Sequence, residues 1–136
     1  MAATDAGKKR ILVVDDEPDV VTYLVTLLED NGYDTDQATE GNEAMAKVEA
    51  NKPDLITLDI SMPEKSGIKF YRELKDDPSL SKILVVVVTA VTGFGGKPGD
   101  FEKFISTRKQ VPPPDGFIAK PIERDELLEL IKKLLA

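Results

Sequence analysis

The 136-residue chain contains neither cysteine nor histidine. The first absence excludes disulfides, thiolate metal sites and thiol nucleophiles; the second removes imidazole as ligand or general base. Carboxylates must therefore supply any reactive chemistry. A basic excess is also missing: 18 Lys and Arg stand against 25 Asp and Glu, for a formal net charge of -7. That balance argues against a nonspecific nucleic-acid surface. Long hydrophobic runs are lacking as well. The opening MAATDAGKKR is polar, and the run Ile11 to Val14 that follows is far too short for a signal segment or a membrane span, so a cytoplasmic location is expected. The length suits one domain with a substantial core, and leaves none for a separate effector module.

What is present is a series of short aliphatic runs, each closed by a polar residue. Residues 1–9 read as a flexible polar tail. RILVV ends at Asp15; after Pro18, Val20, Val21, Leu24, Val25, Leu27 and Leu28 recur at helical spacing until Asn31-Gly32. YDTDQAT alternates weakly as a short strand, and Gly41 to Asn51 carries Ala44, Met45 and Val48 on one helical face. DLITLD makes a third strand ending at Asp59, and Ile68, Phe70, Tyr71 and Leu74 mark the helix after it. Ile83 to Val88 is a fully buried strand by composition, closed by Thr89. GFGGKPG at 93–99 is irregular, Phe101, Phe104 and Ile105 suggest a short helix, and Pro112 to Pro114 stop it. GFIAK gives a fifth strand, and Leu127, Leu128, Ile131, Leu134 and Leu135 the stripe of a last helix. Five βα units of this kind predict a single-domain, doubly wound α/β fold: a five-stranded parallel sheet with helices on both faces. In such a sheet ligands gather beyond the carboxyl ends of the strands, where Asp15, Asp16, Asp59, Thr89 and Lys120 all fall.

Two adjacent carboxylates facing a third repel one another unless a hard cation lies among them, and Mg²⁺ suits an all-oxygen set while keeping positions open for water and phosphoryl oxygens. Asp59 can then attack phosphorus to give an acyl phosphate. Lys120 supplies a compact positive charge for a carboxylate or phosphoryl oxygen, and the Thr89 hydroxyl a hydrogen bond to another.

From about residue 10 to the end the chain resembles a response-regulator receiver domain of two-component signalling, in a stand-alone form. The resemblance implies the flavodoxin-like strand order 2-1-3-4-5. It makes Asp15 and Asp16 the acidic metal pair, Asp59 the phosphoacceptor, Thr89 the switch hydroxyl and Lys120 the phosphate-contacting lysine. In DISMPEKSG, Met62, Pro63 and Gly67 fit the loop after the phosphoacceptor, and the backbone carbonyl of Ser61 is the implied extra ligand to Mg²⁺. Ala90 fits after Thr89, Phe117 stands at the aromatic switch position, and the Lys120–Pro121 bond is commonly cis in the family. The implied partners are a histidine kinase or phosphotransfer protein and a downstream protein bound on the face of the fourth helix, fifth strand and last helix. Having no histidine, the chain must take its phosphoryl group from another molecule. The resemblance thus implies a phosphoacceptor that assists its own phosphorylation and dephosphorylation rather than an enzyme with a turned-over substrate. One departure stands out: Thr89 and Lys120 lie 31 positions apart, longer than in most receivers, with the excess in an extended segment at about 91–115.

Taken singly, these residues have plainer readings. An acidic pair is usually solvated, Asp59 suits a turn or helix cap, Lys120 a surface position, and Phe117 an ordinary core aromatic. Residues 91–115 are either neutral loop variation or a partner-binding element. GFGGKPG is not a phosphate loop, because Val91 and Pro98 occupy places that need glycine and Ser or Thr. A Mg²⁺-dependent aspartyl phosphatase would share the acyl-phosphate chemistry, but its two aspartates spaced two apart after the first strand are replaced here by Asp15-Asp16-Glu17. A receiver-shaped binding module without phosphorylation is the third reading.

Overall fold

The computed structural model describes residues 8–60, 66–90 and 114–136, and of residues 66, 89 and 90 the backbone alone. The polypeptide alternates strand and helix: β1 (Arg10–Val14), α1 (Pro18–Asp30), β2 (Asp34–Ala38), α2 (Gly41–Ala50), β3 (Leu55–Leu58), α3 (Ser66–Asp76), β4 (Leu84–Ala90), β5 (Gly116–Lys120) and α4 (Arg124–Leu135). All pairings are parallel and the sheet order is β2-β1-β3-β4-β5, as the resemblance implies.

The aliphatic runs become central strands because successive side chains point to opposite faces and both faces are covered. Leu12, Val14, Ile56, Leu58, Val85 and Val87 meet Ala44 and Val48 of α2 and Phe70, Tyr71 and Leu74 of α3 in one core. Ile11, Val13, Leu55, Val86, Val88 and Ile118 meet Val21, Leu24 and Leu28 of α1 and Leu127 and Ile131 of α4 in the other. The polar β2 is tolerated because it is an edge strand, paired only with β1 and with Lys47 of α2 bonded to Asp36 at 2.9 Å. Ile83, expected to open the fourth strand, instead belongs to the turn before it, donating its amide to Leu80 O at 3.1 Å.

The helix ends follow their sequence signals. Pro18 opens α1 at a position whose N–H has no helical partner. Gly32 closes it with φ +91, while its own N–H reaches Glu29 O and that of Tyr33 reaches Leu28 O. This paired arrangement requires a left-handed residue just past the helix. A glutamate precedes three helices. Glu40 accepts hydrogen bonds from the amides of Asn42 and Glu43, and Glu123 from that of Glu126, but Glu17 caps nothing with its side chain.

Only residues 8 and 9 of the expected tail and residues 114 and 115 of the segment at 91–115 are described. The short helix expected around Phe101 to Ile105, and Ser61, Met62 and Pro63, lie outside the described residues. No helix among the described residues is long and apolar enough to cross a membrane.

Candidate functional site

At the carboxyl ends of β1 and β3 the chain leaves the sheet on an aspartate. The Asp15 amide donates to Ala38 O at 3.1 Å and the Asp59 amide to Val14 O at 2.9 Å, so both residues remain tied to neighbouring strands. Their side chains are buried, at 2% and 3% exposure, where an unpaired carboxylate is costly. Gly67, on the first turn of α3, backs directly onto this edge: a Cβ there would lie 2.5 Å from Asp59 O and 2.8 Å from the Ile60 Cα. Only a residue without a side chain lets α3 come so close.

One cation answers these charges among the described residues. Lys120, the last residue of β5, places Nζ 2.9 Å from Glu17 Oε1, 3.0 Å from Asp15 Oδ2 and 3.3 Å from Asp59 Oδ2. The Glu17 and Asp59 contacts are hydrogen bonds. The approach to Asp15 Oδ2 is short enough for an ion pair but off the direction a hydrogen bond needs, so that buried oxygen has no hydrogen-bond donor. Asp15 Oδ1 is better served, accepting the Glu17 amide at 2.9 Å. The Lys120–Pro121 peptide is cis, in keeping with the resemblance.

The electrostatics follow from three carboxylates around one ammonium. Burial pushes the Asp15 carboxyl up from 3.8 to about 6; the Asp59 charge adds to that rise, while the Glu17 amide and Lys120 oppose it. For Lys120, burial works against the charged form, but Glu17, Asp15 and Asp59 outweigh it and raise its pKa above the usual lysine value. One oxygen from each of Asp15, Glu17 and Asp59 lies within 4.8 Å of the others. Three hard oxygen donors, one of them buried without a donor of its own, fit Mg²⁺ by the chemistry of the set.

The sequence-based residues are distributed as follows. Asp15, Asp59 and Lys120 converge as expected. Asp16 is exposed and stands outside the three-carboxylate cluster, whereas Glu17, noted in the sequence only as the residue after the acidic pair, is in it. Its signal was the third consecutive acid in Asp15-Asp16-Glu17, but its contact lies 103 residues away and no spacing rule reveals it. The Thr89 backbone pairs with Ala119 in β5, one step before Lys120; its side chain lies outside the described residues. Phe117 pairs with Val87 and is partly buried against the core shared with α2 and α3. Ser61 lies outside the described residues.

The comparisons with known proteins agree with this geometry. Residues 11–132 match the response regulator receiver domain. Protein Rrf1 of Nitratidesulfovibrio vulgaris is 35% identical over 127 residues, 93% of this chain and 83% of that protein. The polar-differentiation response regulator DivK of Brucella anthropi is 35% identical over 127 residues, 93% of this chain and 96% of that one. Among solved structures, the signal receiver domain of a signal transduction histidine kinase from Syntrophus aciditrophicus superposes with a TM-score of 0.78 at 33% identity, covering 93% of this chain and 89% of that one. With an acidic cluster at the strand ends consistent with a phosphoaspartate site, the chain belongs to the response regulator receiver domain family, the signalling phosphoacceptor module of two-component systems.

Proposed function

We propose that this receiver is switched by Mg²⁺-dependent phosphorylation of Asp59, taken from a phosphohistidine of a histidine kinase or phosphotransfer protein, or from a small acyl phosphate. The observation that carries the reading is the Asp59 carboxylate, buried at the end of β3 with Lys120 Nζ at 3.3 Å and a second buried carboxylate sharing that lysine. A carboxylate so placed is held towards a lysine that can receive phosphoryl charge, with little freedom to lose on reaction. By the resemblance, Asp15, Asp16, Asp59 and the Ser61 carbonyl would hold Mg²⁺; Asp15 and Asp59 are two of the three clustered carboxylates, and Glu17 is the third. When bound, the ion offsets the repulsion between the carboxylate and an incoming anionic phosphoryl group.

The chain's own residues do the remainder. Asp59 provides the attacking oxygen, and the bond between phosphorus and its donor breaks with the electron pair leaving on the donor. Lys120 turns an N–H towards a phosphoryl oxygen, and Thr89 donates its hydroxyl to another, drawing the end of β4 inward. Phe117, on the neighbouring strand and partly buried, follows as the aromatic switch, so that the face including β5 and α4 presents a changed surface to a protein target.

Intact-protein mass after incubation with acetyl phosphate and Mg²⁺ tests this reading. One labile phosphoryl adduct is expected, absent in Asp59→Asn and absent with EDTA. No adduct under any condition would leave a binding module without phosphorylation as the better account.

A further inference from the structure

Glutamate stands at the N-cap of α1, α2 and α4, yet only two of the three use their side chains as caps. Glu40 and Glu123 turn back onto the second or third helical amide, the ordinary role of an acid in that position. Glu17 gives its carboxylate to Lys120 Nζ at 2.9 Å, shorter than the bond from the same nitrogen to Asp59 at 3.3 Å. Its backbone is meanwhile fixed by the amide bond to Asp15 Oδ1. Lys120 is therefore shared in the resting protein between the phosphoacceptor and an acid that is not the phosphoacceptor.

Of the three carboxylates on Lys120, Glu17 alone can leave. The Asp15 and Asp59 side chains are 2% and 3% exposed and sit at strand ends, whereas that of Glu17 is 61% exposed. Its alternative partners are close in sequence: the free amides of Asp19 and Val20 in the first turn of α1 are equivalent to those Glu40 and Glu123 already engage.

We propose that Glu17 is a positioning residue that holds Lys120 in the unphosphorylated state, is displaced from it by the phosphoryl group on Asp59, and then turns to cap α1. This rests on the reading of Asp59 as phosphoacceptor. In the transfer, an Asp59 oxygen forms the bond to phosphorus as the donor's bond breaks, acetate leaving with the electron pair when acetyl phosphate is the donor. Lys120 then faces a group more anionic than the carboxylate it replaces, and Glu17 becomes a like charge beside it, so the hydrogen bond passes to the phosphoryl oxygen. Glu17 consequently disfavours the approach of an anionic donor and sets a threshold on phosphorylation.

The test compares the parent chain with Glu17→Gln and Glu17→Asp, reading adduct formation from acetyl phosphate at saturating Mg²⁺ and the ¹⁵N resonance of the Lys120 ammonium with and without beryllofluoride and Mg²⁺. Removing one charge about 4 Å from the reacting centre in water predicts adduct formation about fivefold faster in Glu17→Gln. The Lys120 resonance should differ between Glu17→Gln and the parent at rest and coincide once beryllofluoride is bound. Glu17→Asp, too short to reach Lys120 but still charged, should share the altered resting resonance without the gain in rate. In the parent, the Val20 amide should exchange more slowly with beryllofluoride bound. An unchanged rate with an unshifted Lys120 resonance in Glu17→Gln would overturn the proposal, leaving Glu17 a solvated surface acid. Loss of both Mg²⁺ binding and the adduct in that variant would overturn it differently, making Glu17 an obligatory ligand. Should the parent itself take no adduct, the phosphoacceptor reading fails, while the resting Lys120 resonance still decides the Glu17 contact.

Discussion

The two ends of the same sheet treat aspartate in opposite ways. At the amino edge, Asp54 precedes β3 and Asp115 precedes β5, and each closes a reciprocal ring with the strand beside it. Asp54 donates its amide to Arg10 O and accepts the Arg10 amide on Oδ2, at 2.9 Å in both directions. Asp115 does the same with Val85, again at 2.9 Å both ways. At the carboxyl edge, Asp15 and Asp59 crowd one lysine, and a buried oxygen of Asp15 lacks a hydrogen-bond donor. An aspartate answered by a fixed backbone amide serves the fold; one held against like charge leaves room for a ligand. Residue type alone does not separate the two classes; burial and partner do, since Asp54 and Asp115 are exposed and Asp15 and Asp59 are buried.

The strongest way to break that contrast is to remove the shared cation. Lys120→Met should destabilise the metal-free protein by about 3–5 kcal/mol, nearer the lower figure because Lys120 is not fully buried, since two buried carboxylates lose their counter-ion. Urea unfolding at neutral pH measures this, and Mg²⁺ should restore part of the loss. A cost below about 1 kcal/mol would mean that the crowding is relieved in some other way.

Next comes Asp15. Its folded-state pKa is raised above the unfolded 3.8 to about 6, so the protonated form is the one folding favours. That contribution is fully present below about pH 4 and is lost as pH rises through about 6, a change of up to about 3 kcal/mol. Metal-free parent protein should therefore lose stability across this window, and Asp15→Asn should flatten the loss while abolishing the stabilisation by Mg²⁺. Parallel pH profiles for the two proteins would contradict this origin of the pH dependence.

Gly67→Ala attacks the same edge through the backbone. A methyl group has no room beside Asp59 O at 2.5 Å, so α3 must retreat or Asp59 must shift. The expected cost is about 1–3 kcal/mol together with a reduced phosphoryl adduct, read by thermal unfolding and intact mass. Full stability with full phosphorylation would show that the loop absorbs the extra carbon.

The central strands were legible because burial on both faces leaves them as unbroken aliphatic runs; Val85 to Val88 could be little else. Helix limits followed from Pro18 and Gly32, whose backbone constraints are local. Asp15, Asp59 and Lys120 were legible for a related reason, since a polar residue closing a buried strand must emerge at one edge. Ile83 was misplaced because composition does not distinguish a buried turn residue from the start of the strand it precedes. Glu17 was passed over, and Gly67 was picked out only by the resemblance, as part of a loop rather than of the first turn of α3. One acts on a lysine 103 residues away and the other through an approach between backbones, and neither leaves a periodicity.

The smallest effect belongs to the amino edge and serves as the control. Asp115→Ala removes the acceptor for the amide of Val85, a fully buried residue of β4, yet Asp115 itself is exposed and water can take its place. A cost of about 1 kcal/mol is expected, with phosphorylation unchanged. Lys75 supplies a second reading of the same site. Burial lowers its pKa, the Asp115 charge partly offsets that, and its ammonium bonds Ser81 O and Ile83 O at 3.0 Å each. Losing Asp115 should therefore lower the Lys75 pKa further, measurable by its ammonium titration, while the Lys120 resonance stays where it was. A change in adduct yield would instead couple the two ends of the sheet, and the distinction between aspartates that close strands and aspartates that crowd a lysine would no longer be one of position.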